Sequence, residues 1–161
     1  MKRVIVLLIC ISLLVCGCRE LVSDPVTFYY VRKEYQEDMT DIIASEEREA
    51  AGHRDDLSYL LQLYLMGPSD AELVSPLFTG TRILSVEYAD GIINLELSDT
   101  SKTMTDTEFS LACACLTLTC MDLTDASEVN IISGNRSVTM DQSNLMLFDN
   151  VTDTESTEEN E

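Results

Sequence analysis

The sequence predicts an α+β domain: a mixed sheet of five or six strands with two helices packed on one face. Three observations point there. Two turn pairs, Asp90-Gly91 and Gly134-Asn135, are each flanked by alternating apolar residues; an apolar stripe at helical spacing starts at Leu57; and a capped, almost wholly apolar stretch follows Thr105. The chain has 161 residues, 45% of them apolar, which suffices for one compact core and would be cramped for two.

The amino end differs from the rest. Met1-Lys2-Arg3 gives a basic start, and Val4 to Cys16 is apolar except for Ser12. At 1.5 Å per residue that run covers about 20 Å, short of the roughly 30 Å hydrocarbon layer, so it reads as an export signal rather than a permanent span. Val15-Cys16-Gly17-Cys18 resembles the bacterial lipobox, with Cys16 where Ala, Ser or Thr is commoner. The resemblance implies cleavage after Gly17 and a diacylglyceryl group on the Cys18 thiol, with acyl chains of the palmitate type. The predicted organisation is therefore a lipoprotein signal peptide at 1–17, a short tether at 18–25, a domain at 26–148 and an acidic tail at 149–161. The expected location is the extracytoplasmic face of the cell membrane, with the membrane itself as a partner through Cys18.

Charge narrows the partners. Ten basic and 29 acidic side chains give a formal charge of -19. Loss of Lys2 and Arg3 with the signal leaves 8 - 29 = -21. Phosphate binding needs clustered Lys and Arg, and none occurs, so a nucleic-acid partner is not expected.

Within the domain, Val26 to Val31 reads as a strand apolar on both faces, which suits the inside of a sheet. A short strand is expected around Met39 to Ser45, in a charge-dense stretch. Leu57, Leu60, Leu61, Tyr64 and Leu65 share one helical stripe. Asp56 supplies a start and Gly67-Pro68 a stop, giving a helix over roughly Asp56 to Met66. Leu84, Val86 and Tyr88 alternate with Ser85 and Glu87, and Ile93, Leu95 and Leu97 with Asn94 and Glu96, across Asp90-Gly91. This predicts a hairpin with one buried and one wet face. Thr105-Asp106-Thr107-Glu108 matches a capping box, opening a helix that runs to about Met121 and belongs at the centre of the core. Val129 and Ile131, then Val138 and Met140, alternate around Gly134-Asn135 as a second hairpin. From Asp149 the acidic, apolar-poor tail is expected to be disordered.

Several of these segments together carry a family resemblance. Leu60-Leu61 to Gly67-Pro68, Gly80-Thr81-Arg82-Ile83-Leu84-Ser85-Val86, Asp90-Gly91, Leu95-Glu96-Leu97-Ser98 and Thr117-Leu118-Thr119 resemble the GerMN domain of bacterial sporulation and germination lipoproteins, over roughly Val26 to Phe148. The resemblance implies a membrane-tethered extracytoplasmic protein concerned with cell-envelope or spore-envelope assembly or germination. It implies an envelope protein or a second copy of the chain as partner.

Reactive chemistry is sparse. On a helix Cys113 and Cys115 point about 200° apart, and Cys113 and Cys120 lie about 10 Å apart along the axis, so the three read as buried thiols rather than metal ligands or disulfides. His53, the only His, sits in a charged linker without an orienting partner. Glu46, Glu47 and Glu49 lack the spacing of a Ca²⁺ loop. No catalytic residue, metal ligand or cofactor site is expected, and the best reading is a non-catalytic interaction module. The alternative is a lipoprotein that binds cell-wall glycan or a small ligand, with Tyr29 and Tyr35 stacking on sugar.

Overall fold

A computed structural model describes residues 24–34, 42–143 and 145. The first strand, β1 (Pro25–Arg32), is the middle of a three-stranded antiparallel sheet. It pairs along its length with β2 (Ile43–Glu49) and, at one end, with the two-residue β3 (Leu73–Val74). Its apolar character on both faces fits that position: Val26, Phe28, Tyr30 and Val31 are all buried.

Strand β2 begins four residues later than expected and continues through the charged stretch to Glu49; residues 35–41 lie outside the described residues. Charge does not prevent a strand here because the inward-leaning charges are partnered. Glu46 accepts the backbone N–H groups of Ser69 and Asp70, at 2.8 and 2.9 Å from Oε2. The Arg48 guanidinium donates to the Gly67 carbonyl at 3.0 Å and lies 3.7 Å from Glu46. Together they hold the turn that ends the first helix.

That helix, α1 (Leu57–Leu65), is capped by Asp56, whose carboxylate accepts the Tyr59 N–H, and closed by Met66, with Gly67 at φ +85°. These are the predicted limits. Its Tyr64 ring stacks on Tyr30, centroids 4.8 Å apart and planes 4° from parallel, and Phe28 meets both rings edge-on. The two hydroxyls are satisfied across the same junction, Tyr30 Oη donating to the Tyr64 carbonyl and Tyr64 Oη to the Tyr29 carbonyl.

The remaining strands, β4 (Ile83–Ala89), β5 (Ile92–Leu97), β6 (Glu128–Ser133) and β7 (Arg136–Asp141), form a mixed sheet in that order, with β5 and β6 parallel. The second helix, α2 (Asp106–Leu123), makes the crossover that parallel neighbours require. Among the described residues the α+β class, a mixed sheet and two helices are as predicted, and seven strands divide between two sheets. The divide follows from α2, which packs against β1 on one side and against β6 and β7 on the other. Instead of a further strand, the Thr119 hydroxyl accepts the Tyr29 N–H at 3.0 Å. The capping box is formed, and Phe109, Ala112, Cys113, Cys115, Leu116 and Cys120 are buried on several sides of the helix.

Both turns are as read. Asp90 (φ +54°) and Gly91 (φ +78°) occupy a primed turn that joins β4 to β5. Gly134 (φ +62°) opens the second, and a Cβ there would lie 2.7 Å from Asp99 Oδ1. The first hairpin departs from expectation on one strand. Ile93, Leu95 and Leu97 are buried, yet Leu84 and Tyr88 are 55% and 47% exposed, because β4 is an edge strand whose register shifts between Ile83 and Ser85.

Arg136, the first residue of β7, ties this sheet to the start of α2. Its guanidinium donates to the Met104 carbonyl at 3.2 Å and to the Thr100 hydroxyl, and lies 4.1 Å from the centroid of the Phe109 ring. Thr100, itself buried, is bonded to Ser133 through both backbone and hydroxyl.

Two outcomes follow for stability. Arg136→Lys removes the planar fork and its stacking on Phe109, and should cost about 2 kcal/mol in urea unfolding. Asp106→Asn should change nothing measurable, because that carboxylate, 3.5 Å from Arg136, is 96% exposed. Burial pushes the Cys113, Cys115 and Cys120 thiols from 9.0 up to about 12. The folded chain therefore keeps protons that the unfolded chain has lost, so stability is full below about pH 9 and falls as pH rises toward about 12. Each thiol contributes up to about 1.4 kcal/mol per pH unit over that window. Urea unfolding at about pH 8 and about pH 10 should show the fall, and Cys120→Ala should make it shallower.

Candidate functional site

Cys18, the predicted lipidation site, lies outside the described residues, as do Tyr35 and the tail from Asp149. Among the described residues no helix is long and apolar enough to cross a membrane, and no three His, Cys, Asp or Glu side chains are grouped to hold a metal ion. Cys113, Cys115 and Cys120 are buried in the body of α2. His53 is exposed and its ring stacks on Tyr59 at 4.1 Å. The three glutamates of β2 do not converge: Glu46 turns to the loop after α1, and Glu49 accepts the Asp24 N–H.

Three features could meet a partner. The largest is the outer face of the four-stranded sheet. Because β5 and β6 run in register, side chains line up in rows across all four strands: Glu87, Asn94, Asn130 and Thr139 in one, Ser85, Glu96, Ile132 and Ser137 in the next. Cross-strand bonds stiffen them. Asn130 donates to Asn94 at 3.2 Å, Thr139 donates to Asn130, and Ser85 donates to Glu96 at 3.2 Å. Glu87, Asn94, Glu96, Ser137 and Thr139 are exposed, and Ile132 is 43% exposed among them. Among the described residues four acids stand on this face, Glu87, Glu96, Glu128 and Asp141, and no Lys or Arg does, since Arg136 turns inward to Phe109. The predicted wet face of the first hairpin was half of this surface; the parallel pairing that doubles it left no local mark in the sequence.

The second feature is a groove of about 460 Å³ where Tyr29 and Arg32 of β1, Ser45 of β2, and Asp70 and Glu72 meet. Tyr29 is half-buried there, and burial is the main reason its hydroxyl titrates above the ordinary tyrosine value. Of the expected aromatic pair, Tyr29 lines this groove, and Tyr35 lies outside the described residues.

The third is a cavity of about 160 Å³ between two turns, lined by residues 78–81 of one and by Ser98, Asp99, Thr103 and the buried Thr100 of the other. One turn is closed by the Thr81 N–H and hydroxyl, both donating to the Phe78 carbonyl, with Gly80 at φ +98°. The other is closed by Thr103 and Met104 N–H groups on the Thr100 carbonyl. Reciprocal bonds clamp the two where the hairpin begins: Ser98 N–H to the Arg82 carbonyl at 2.8 Å, and Arg82 N–H to Ser98 Oγ at 3.0 Å. Asp99 Oδ1 accepts the Ser101 N–H, which holds the carboxyl below its usual range. The Gly80-Thr81-Arg82 and Ser98 motif residues thus come together, and residues 99–103 complete the wall by a loop geometry that spacing alone does not show.

No family model and no curated protein matches the sequence. Among solved structures, the chain is similar to the tandem GerMN domains of the sporulation protein GerM from Bacillus subtilis, with a TM-score of 0.52 at 17% identity. That match covers 75% of this chain and 43% of the other, so the chain spans less than half of that protein's length. It is also similar to a protein described as a candidate lipoprotein from Clostridium perfringens, with a TM-score of 0.47 at 20% identity over 75% of this chain and 89% of that one. At such identities the likeness is one of fold, and the fold of this chain is GerMN-like.

Proposed function

We propose that this chain is a non-catalytic interaction module of the bacterial envelope, anchored to the outer leaflet of the cell membrane by diacylglyceryl on Cys18. The lipobox-like Val15-Cys16-Gly17-Cys18 supports the anchor, since only a thiol at the last position forms the thioether. Two acyl chains, at about 0.8 kcal/mol per buried CH₂, hold a protein far more firmly than one. The fold shared with a domain of a sporulation protein supports a role in cell-envelope or spore-envelope assembly or germination.

The interaction itself is carried by one observation, the outer face of the four-stranded sheet, which no described helix or strand covers. A rigid, registered surface with four acids, no base and an exposed Ile132 in its middle suits a basic protein surface. The partner is an envelope protein of that character.

Cys18→Ser should move the protein from the detergent phase to the aqueous phase in a phase-partition assay; no shift would remove the anchor from the account. Crosslinking in the native membrane, read by mass spectrometry, should join this sheet face to a basic protein. The yield should fall with added salt and be lost in Ile132→Asp. Crosslinks only between copies of this chain would replace the envelope partner by self-assembly, and recovery of glycan alone would overturn the protein-binding reading.

A further inference from the structure

We infer that the cavity between the Phe78–Thr81 and Asp99–Thr103 turns is a subsite for one pyranose ring of a neutral glycan, stacked on Phe78 and hydrogen-bonded by Asp99. The inference does not depend on the membrane anchor or on the sheet face.

Size comes first. A space of about 160 Å³ takes a single six-membered sugar ring and excludes a folded peptide segment or a nucleotide. Shape is fixed before any ligand arrives, because both turns are closed by their own backbone bonds and clamped together at Arg82 and Ser98. The buried part of the lining is fixed too: Thr100 is held by Ser133 and by Arg136. Such preorganisation matters for a weak ligand, since little ordering cost is left at binding.

The lining then selects the chemistry. An anion is disfavoured by the Asp99 carboxylate. A divalent cation would find one carboxylate and no second acid in the wall. An apolar ligand would strand hydroxyls. A sugar ring satisfies every part of this set: its axial C–H face covers an aromatic ring, and its vicinal hydroxyls donate to a carboxylate. Phe78 is 54% exposed, and Thr79, Thr81 and Ser98 also line the cavity. Asp99 Oδ1 accepts the Ser101 N–H, which orients the carboxylate, and a carboxylate oxygen can accept a further hydroxyl beside that bond. Gly80, at φ +98° with nothing within 4 Å of where a Cβ would stand, keeps the mouth open beside the ring.

Affinity should be modest. At about -0.3 kcal/mol per non-hydrogen atom, a ring with roughly 15 such atoms binds in the millimolar range. The test is a titration of the ¹⁵N-labelled domain with N-acetylglucosamine and, separately, with its β-1,4-linked tetrasaccharide, followed by amide chemical shifts. Shifts should concentrate at 78–82 and 98–103. Phe78→Ala, on an exposed side chain, and Asp99→Asn, which keeps the acceptor for Ser101, should each weaken binding about tenfold without loss of the folded spectrum. Tighter binding of the tetrasaccharide would mark a polymeric glycan as the source, and equal binding a free sugar; either supports the subsite. Absence of shifts with both sugars, shifts gathered at Tyr29 and Arg32 instead, or unchanged binding in Phe78→Ala would overturn it.

Discussion

A helix that is apolar almost all round has to be covered almost all round, and this constraint on α2 organises the molecule. One sheet can cover only one side of a helix. The second side of α2 is covered by β1 and the residues beside it, so the strands are split into two sheets with the helix packed against both. The same helix also replaces a strand. Thr119 projects its hydroxyl at the Tyr29 N–H, a donor that β3, two residues long, is too short to pair. A buried backbone donor without an acceptor would cost about as much as several favourable contacts gain. The threonine in an otherwise greasy stretch is therefore a partner for the sheet rather than a break in the helix.

The sequence was most legible where the signal is local. The limits of α1 came from Asp56 and Gly67-Pro68, the start of α2 from Thr105 and Glu108, and both turns from dipeptides whose backbone angles few residues tolerate. It was least legible where partners lie far along the chain. Strand β2 carries five polar residues in seven, and its pattern makes sense only once the carbonyl of Gly67 and the N–H groups of Ser69 and Asp70 are seen to face Arg48 and Glu46. Leu84 and Tyr88 read as buried because alternation does not say whether a strand is central or at an edge. For the candidate binding features the same limit held: half of the outer sheet face was visible as the wet side of a hairpin, while the rows that cross β5 and β6 depend on a register set by the crossover helix.

The two networks that anchor loops to the core share a design. Arg48 and Arg136 each carry a guanidinium to backbone carbonyls near a helix end, with an aromatic ring beneath it: Phe28 at 5.8 Å for Arg48 and Phe109 at 4.1 Å for Arg136. In a chain with only ten basic residues, these two are spent inside the fold rather than on its surface. That choice sharpens the external charge. Two arginines withdrawn to structural tasks leave the outer surface more uniformly acidic than composition alone implies, including a sheet face on which none of the described residues is a base.

This distribution bears on how a tethered domain would stand. With Cys18 lipidated as proposed, roughly seven residues separate the acyl chains from Val26, a reach of at most about 25 Å. Anionic headgroups repel an acidic surface over a Debye length of about 8 Å at physiological salt, so the orientation of least energy turns the most acidic surfaces away from the bilayer. The outer face of the four-stranded sheet is one of these. A short tether would otherwise let any face lie against the membrane. On the proposed anchor, repulsion would instead keep that face outward, where the charge that the bilayer rejects would attract a basic partner of the kind proposed.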